Sequence, residues 1–184
     1  MIGIDEVGRG CWAGPLLVVA AVAHSSLPEG LADSKVLSKS SRESLFDGIR
    51  SSCCIGEGWV QPEEIDTHGL TASMKIAVSR ALVQLGAKFG DEIIMDGNIN
   101  YCPTDYTNVQ TIIRADSLHP IVSAASIYAK VLRDRHMQRL ARFYPYYGFE
   151  KHVGYGTQLH KSALKVHGPS SIHRKSFKPI QELV

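Results

Sequence analysis

The first ten residues, Met1 to Gly10 (MIGIDEVGRG), constrain the fold and chemistry of this chain more than any other stretch. An apolar start leads into two adjacent carboxylates, Asp5 and Glu6, and a glycine-flanked arginine follows. Adjacent side chains on a strand point to opposite faces, so two acids at a strand end can approach one point from two directions. The glycines allow backbone N–H groups to come close to a ligand. This stretch predicts a strand that ends in a cation site, and the alternative is an exposed polar turn.

Composition narrows the class of protein. The chain has 184 residues, of which 44% are hydrophobic, which predicts one globular domain with a sizeable core. No apolar run approaches the ~20 residues that a membrane-spanning helix needs, and Asp5 and Glu6 stand where a secretory signal would be basic. The four cysteines form no C-x-x-C pair, which argues against a zinc site. We therefore expect a reduced, cytoplasmic protein with no membrane partner. We also expect it to be a monomer.

Charge is distributed unevenly along the chain. Residues 1–127 hold 9 Lys and Arg against 15 Asp and Glu, whereas residues 128–178 hold 11 against 2. An acidic N-terminal part and a basic C-terminal part are typical of an enzyme whose central carboxylates lie beside a surface that binds a polyanion. The alternative is that the basic segment is simply a solvated helical surface.

Hydrophobic patterning predicts a mixed sheet covered by helices. Short connections suggest that the first three strands form an antiparallel meander. Helices are predicted from Ser38 or Ser40 through Ile49, from Pro62 to Gly86, and from Pro120 onward, the last rich in small residues that allow close packing. The predicted strands are residues 1–7, 16–23, 53–60, 91–96 and 109–113.

The amino-acid composition changes after Arg142, where Gly, Pro, Tyr, His and Lys become frequent. We predict a loop with one or two short helices here, lying over one end of the sheet. The chain accordingly divides into a catalytic part, residues 1–142, and a basic extension, residues 143–184, that contributes to substrate binding.

Four acids, Asp5, Glu6, Asp96 and Asp116, share a position at or just after the end of an apolar run. Carboxylates at the ends of neighbouring strands converge on one crevice, and an all-oxygen site suits Mg²⁺ or Mn²⁺. Close like charges need a metal or a shifted pKa. Two cations about 4 Å apart can activate water and stabilise the leaving oxygen of a phosphodiester. Taken singly, Asp96 also fits a solvated turn and Asp116 a helix cap; the joint pattern favours a metal site.

Longer motifs identify a family. They are GIDEVGRG (3–10), AGPLLVVAAV (13–22), DSKVLS (33–38), IMDG (94–97), RADSLHPIVSAASIYAKVLRD (114–134), YPYYGFEKHVGYGTQLH (144–160) and HRKSFKP (173–179). With these motifs the chain resembles the ribonuclease HII family, the type 2 ribonucleases H. The related ribonuclease HIII type typically carries Ser and Lys in the first motif, where this chain has Val7 and Arg9.

The resemblance implies a ribonuclease H-like fold, a mixed five-stranded sheet with helices and a small C-terminal helical extension. It implies a metal-dependent endoribonuclease that cuts the RNA strand of RNA–DNA hybrids and incises at single ribonucleotides in duplex DNA, leaving 3′-hydroxyl and 5′-phosphate ends. The family's four carboxylates fall on Asp5, Glu6, Asp96 and Asp116. Its junction-sensing tyrosine falls on Tyr155.

The family's glycine-arginine-glycine element falls on Gly8, Arg9 and Gly10. Its backbone can surround the 2′-hydroxyl that distinguishes RNA from DNA, and Arg9 can hold a phosphate. The Tyr155 ring can pack on the next sugar, where a deoxyribose fits better; without the family, a tyrosine that fills a turn is the simpler interpretation.

Further basic residues are candidates for phosphate contacts that read charge rather than sequence. They are Lys35, Lys39, Arg114, Lys151, His173, Arg174 and Lys175. The rival hypotheses are a related nuclease with the same sheet, such as ribonuclease HIII or a DNA-directed enzyme, and a non-enzymatic hybrid-binding module.

Overall fold

A computed structural model describes residues 1–31 and 37–182. Its sheet has five strands, which are β1 (Ile2–Val7), β2 (Leu16–Ala23), β3 (Cys53–Val60), β4 (Ile93–Asp96) and β5 (Val109–Ile112). Across the sheet they lie in the order β3-β2-β1-β4-β5. The first three strands pair antiparallel, while β4 runs parallel to both β1 and β5. The mixed five-stranded sheet that the sequence predicts is therefore confirmed.

The helices begin and end at recognisable capping residues. Ser38 caps the first long helix by accepting from the backbone N–H of Ser41, and Gly86 ends the second in the left-handed conformation, with φ 75°. Gly69, also at φ 75°, kinks that second helix. The helices are α1 (Lys39–Ser52), α2 (Pro62–Leu85), α3 (Ala115–Leu118), α4 (Pro120–Ala141), α5 (Phe149–His152), α6 (Gln158–His167) and α7 (Lys178–Gln181).

Each face of the sheet carries its own apolar layer. Alternate residues of β1 and β2, such as Ile4 and Val18, pack against α2 on one face. The intervening residues, such as Val19, pack against α1 and α4 on the other. At Gly3 a side chain would place its Cβ only 2.6 Å from the carbonyl carbon of Ile121, so α4 lies directly on the β1 backbone. The predicted close packing of this small-residue helix is confirmed.

Residues beyond Arg142 form a third, smaller core with three short helices, α5 to α7, one more than the sequence predicted. Two of the three are single turns of four residues, too short to leave a periodic signal. This core also includes Ala13 and Met137, so the segment packs on the β1–β2 connection and the end of α4. Among residues 1–31 and 37–182, no helix is long and apolar enough to cross a bilayer.

Candidate active site

Three carboxylates meet at the edge of the sheet where β1 and β4 end. Asp5 lies in β1, Asp96 is the last residue of β4, and Asp116 lies in the short helix α3. One carboxylate oxygen of each lies within 4.8 Å of the other two. Asp5 is 7% exposed and Asp116 only 1%. The parallel pairing of β1 with β4 produces this arrangement, because it brings the carboxyl ends of both strands together.

The chain after β5 turns sharply to deliver Asp116. Arg114 adopts the left-handed conformation, with φ 59°, and α3 begins at the next residue. The Oδ1 atom of Asp96 accepts a hydrogen bond of 2.7 Å from the backbone N–H of Ala115. The hydroxyl of Ser123 donates to the carbonyl oxygen of Asp116. These two bonds connect α3 to β4 on one side and to α4 on the other.

The electrostatics of the site favour a cation. The pKa of Asp5 rises to about 8, mainly because burial disfavours its charged form, and further because of the negative charges of Glu6 and Asp96. A divalent cation among these carboxylates would reverse that balance and hold them ionised. The donor set consists of carboxylate oxygens, which is the set that Mg²⁺ and Mn²⁺ prefer.

Glu6 lies outside the group of three carboxylates, although the sequence placed it with them. Its neighbours Asp5 and Val7 face α4, so Glu6 points to the opposite face of β1. Glu6 forms an ion pair with Arg9 at 3.6 Å, and its side chain is 23% exposed. It still lines the same cleft as Asp5 and Asp96. Its predicted role as a metal ligand stays a prediction.

A cleft of about 500 Å³ joins three of the four predicted carboxylates to the Gly8–Gly10 segment and to Tyr155. Asp5, Glu6 and Asp96 make its lining acidic, and Tyr155 lines it as well. Tyr155 retains 38% exposure, and partial burial raises the pKa of its phenol to about 12, so the ring stays neutral. The residues that line the cleft are Asp5, Glu6, Val7, Gly8, Arg9, Gly10, Arg42, Asp96, Ser126, Lys130 and Tyr155.

The sequence did not predict three of the polar residues that line the cleft, Arg42, Ser126 and Lys130. Ser126 hydrogen bonds to Asp5 and lowers its pKa against the larger effect of burial. Lys130 pairs with Asp134 at 2.9 Å, and its Nζ lies 5.7 Å from the centre of the Tyr155 ring. Ser126 and Lys130 are four residues apart on α4 and so share a helix face. That spacing, on the helix that follows Asp116, is the signal that could have identified them.

The glycine-arginine segment is folded around a buried arginine. Gly8 has φ 85°, and a Cβ there would lie 2.2 Å from Nε of Arg133. Arg133 is fully buried, and its guanidinium donates to three backbone carbonyls, those of Ala13, Pro15 and Val153. Arg133 thus ties the chain after Gly8 to the segment that leads to Tyr155.

Two predicted phosphate contacts, His173 and Arg174, are corrected by the structure. They are 1% and 0% exposed. The Arg174 guanidinium donates to the carbonyls of Gly14, at 2.9 and 3.0 Å, and Arg9, at 2.9 Å. Burial lowers the pKa of Arg174 to about 10, well above neutrality. Both side chains are thus committed to the interior, where a phosphate cannot reach them.

Four other predicted phosphate contacts lie at the surface, unlike His173 and Arg174. Lys39, Arg114, Lys151 and Lys175 are exposed, which leaves them available to a polyanion. Lys35 lies outside the described residues. Their phosphate roles stay predictions.

Comparisons with known proteins point to one family. The Ribonuclease HII family matches residues 2–180 of the chain. A relative named Ribonuclease HII from Erythrobacter litoralis is 42% identical over 99% of this chain and 89% of its own length. A second, from Nitrosospira multiformis, is 41% identical over 99% of this chain and 91% of its own length.

Solved structures show the same fold. The structure of the PCNA:RNase HII complex from Archaeoglobus fulgidus matches with a TM-score of 0.81 and 28% identity, over 99% of this chain and 95% of that one. Bst-RNase HIII in complex with Mn²⁺ matches with a TM-score of 0.76 and 21% identity, over 99% of this chain and 68% of that one, and shows a shared fold. Ribonuclease HII proteins are metal-dependent endoribonucleases of the ribonuclease H type that act on nucleic acid. The chain belongs to the ribonuclease HII family.

Proposed function

We propose that this enzyme hydrolyses the RNA strand of RNA–DNA hybrids and also cuts 5′ of single ribonucleotides embedded in duplex DNA, leaving 3′-hydroxyl and 5′-phosphate ends. The observation that carries the proposal is one cleft whose lining brings together the carboxylates of Asp5, Glu6 and Asp96, the Gly8–Gly10 segment and Tyr155. Recognition of a ribose and cleavage beside it then occur in a single site.

Asp5, Asp96 and Asp116 are the proposed metal ligands, and Glu6 completes the set from the same cleft. The fit rests on the chemistry of the donors, three carboxylates with oxygens within 4.8 Å of one another, one of them with a raised pKa. We propose Mg²⁺ or Mn²⁺, with two divalent cations present during catalysis. When bound, such cations lower the pKa of a coordinated water and stabilise the leaving oxygen of the phosphodiester.

The residues around the carboxylates supply recognition. The backbone of Gly8, Arg9 and Gly10 is proposed to hold the 2′-hydroxyl, which only a ribonucleotide carries. The side chain of Arg9 is 45% exposed and ready for a phosphate. The Tyr155 ring is proposed to pack on the adjacent sugar, where a deoxyribose avoids the bulk and desolvation of a second hydroxyl.

Arg42 and Lys130 line the cleft beside these groups and are further candidates for phosphate contacts. We propose that residues 143–184 are a substrate-binding extension of the catalytic part, residues 1–142. We also propose that the enzyme works as a cytoplasmic monomer in ribonucleotide excision repair and RNA primer removal.

An incision assay on a duplex with one ribonucleotide tests the proposal. The companion substrates are a uniform RNA–DNA hybrid and an all-DNA duplex of the same sequence, each measured with Mg²⁺ and Mn²⁺ separately. We expect cleavage 5′ of the ribonucleotide and within the hybrid, with the all-DNA duplex intact. Equal cutting of the all-DNA duplex would favour a DNA-directed nuclease and contradict the proposal. Binding without cleavage of any substrate would favour the non-enzymatic hybrid-binding module.

A further inference from the structure

A chain of hydrogen bonds through two buried histidines ends on the backbone of Tyr155. His160 and His173 are 0% and 1% exposed. Their Nε2 atoms lie 2.9 Å apart. The Nδ1 atom of His160 lies 3.0 Å from the carbonyl oxygen of Tyr155, and the Nδ1 atom of His173 lies 2.9 Å from the backbone nitrogen of Ser170. Three bonds thus connect Ser170 to Tyr155 through two imidazoles.

The two ends of this chain determine where each proton lies. A carbonyl oxygen can only accept, so Nδ1 of His160 must carry a proton and donate it to Tyr155. A neutral imidazole has one N–H, so Nε2 of His160 accepts from Nε2–H of His173. The remaining nitrogen of His173 then accepts, which matches the backbone N–H of Ser170. Burial lowers the pKa of both histidines to about 4, so both are neutral at neutral pH.

The turn that carries Tyr155 is also held by backbone hydrogen bonds and by the side chain of His152. Its carbonyl oxygen also accepts from the N–H of Thr157 at 2.8 Å. The N–H of Gly154 donates to Nδ1 of His152 at 3.3 Å, and the carbonyl of Gly154 accepts from the N–H of Trp12 at 2.8 Å. His160 adds a side-chain donor to the Tyr155 carbonyl, and it does so from the interior.

We propose that His160, with its tautomer set by His173, is a positioning residue that orients Tyr155 toward the sugar at a ribonucleotide–deoxyribonucleotide junction. The histidines lie behind the turn, while the Tyr155 ring lies on the cleft side with Lys130 near its face. The proposal rests on the junction-sensing role proposed above for Tyr155. Neither histidine lines the cleft, so their effect on cleavage passes through the turn.

Substitution by asparagine or glutamine tests the two ring nitrogens of each histidine one at a time. The amide nitrogen of Asn takes the place of Nδ1, and that of Gln takes the place of Nε2. His160→Asn therefore keeps the donor to Tyr155, whereas His160→Gln loses it. For His173 the pattern reverses, because His173→Gln keeps the donor to His160 and His173→Asn loses it.

The measured quantity is the ratio of kcat/KM for a single-ribonucleotide duplex to kcat/KM for a uniform RNA–DNA hybrid. We expect His160→Gln to lower this ratio about tenfold, because a displaced aromatic contact acts mainly at the junction. His160→Asn should stay within about twofold of the wild type, and His173→Gln should resemble it. A packing role alone would lower activity on both substrates equally, in step with thermal stability, and that result would overturn the proposal.

Two further measurements keep the test decisive if a variant folds poorly. Imidazole ¹⁵N spectra of the wild-type enzyme should show the proton on Nδ1 of His160 and on Nε2 of His173; the reversed tautomers would overturn the proposal. Tyr155→Ala separates the positioning role from the proposed function. Equal slowing of both substrates by Tyr155→Ala contradicts junction sensing by the tyrosine. An unchanged ratio in His160→Gln, alongside a lowered ratio in Tyr155→Ala, contradicts positioning by His160.

Discussion

The guanidinium of Arg174 donates a 2.9 Å hydrogen bond to the backbone carbonyl of Arg9, joining the C-terminal segment to the N-terminal recognition segment. The same guanidinium holds the carbonyl of Gly14 through two more bonds. Arg174 is thus a buried strut beneath the Gly8–Gly10 segment.

Substitution of Arg174 should lower the stability of the fold and leave the ionic contacts with substrate unchanged. We expect Arg174→Met to lower the free energy of unfolding by about 3 kcal/mol, because the buried carbonyl of Gly14 and the partly buried carbonyl of Arg9 lose their donor. The slope of log Kd against log salt for a catalytically blocked enzyme should not change, since no phosphate contact is lost. Urea denaturation and binding titrations measure the two effects. A shallower salt slope in Arg174→Met would restore the original assignment to phosphate.

Lys130 should show the opposite behaviour. It lines the cleft beside Tyr155 and pairs with Asp134, and its side chain is 23% exposed. If it holds one phosphate, Lys130→Gln should reduce the magnitude of the salt slope by about 0.9 and leave stability within about 0.5 kcal/mol. Lys165→Gln, on the exposed surface of α6, is the matched control and should leave the slope unchanged. An equal effect of both substitutions would argue against a specific contact at Lys130.

Asp5 should make the metal-free enzyme less stable as pH rises. Its folded pKa of about 8 lies above the ordinary value of 3.8, so the folded state holds a proton that the unfolded state has released. Stability therefore falls as pH rises from about 4 to about 8. Asp5→Asn should lack this fall and have the higher Tm at pH 8 in chelator, while its cleavage rate drops by about 10²-fold or more.

Added Mn²⁺ at pH 8 distinguishes this effect from a simple gain in packing. The cation should raise the Tm of the wild type and raise that of Asp5→Asn less, because the variant has lost one anionic ligand. A wild-type Tm that does not respond to Mn²⁺ would contradict the metal site.

The strand-end acids could be predicted because their signal is local. An apolar run that ends in Asp96 marks a strand end whatever the rest of the chain does. The proximity of Asp5 to Asp96 depended on β4 pairing with β1, a long-range choice that a mixed sheet leaves open. Glu6 was grouped with them although strand alternation turns it to the other face.

The sequence could not predict which basic side chains are buried. Arg174 and Lys175 are adjacent and equally basic, yet the first is 0% exposed and the second lies at the surface. The sequence does not distinguish these two basic residues. A basic side chain is buried only where other segments of the chain bring carbonyl acceptors to it. Lys130 was missed for a related reason: the helix face that borders the cleft is set by how α4 packs on β1.

The histidine pair gives a pH prediction of its own. Burial, with His152 nearby, lowers the pKa of His160 to about 4, below the ordinary value of 6.5, so the unfolded state takes up a proton first. The stability that neutral His160 contributes is fully present above about pH 6.5 and is lost as pH falls toward 4, up to about 3 kcal/mol. Urea denaturation of the wild type and His160→Asn across this pH range isolates the contribution of His160, because the titration of Asp5 changes the stability of both proteins equally. If the two proteins lost stability in parallel as pH falls, this prediction would be wrong.

Gly8 and Gly10 should respond oppositely to the addition of one methyl group. At Gly8 the backbone has φ 85° and a Cβ would lie 2.2 Å from Nε of buried Arg133, whereas at Gly10 nothing lies within 4 Å of a Cβ. Gly8→Ala should therefore destabilise the fold by about 2 kcal/mol or more. Gly10→Ala should keep its Tm within about 2 °C.

Catalysis should reveal why Gly10 is a glycine despite the space around it. The residue lines the cleft, and the proposed ribose contact brings the 2′-hydroxyl against its backbone. A methyl group there should lower kcat/KM about 10²-fold on both ribonucleotide substrates, because the sugar can no longer approach the metal ligands at the reacting distance. Thermal melting beside steady-state cleavage measures both effects. A Gly10→Ala enzyme with wild-type activity would place the ribose elsewhere in the cleft.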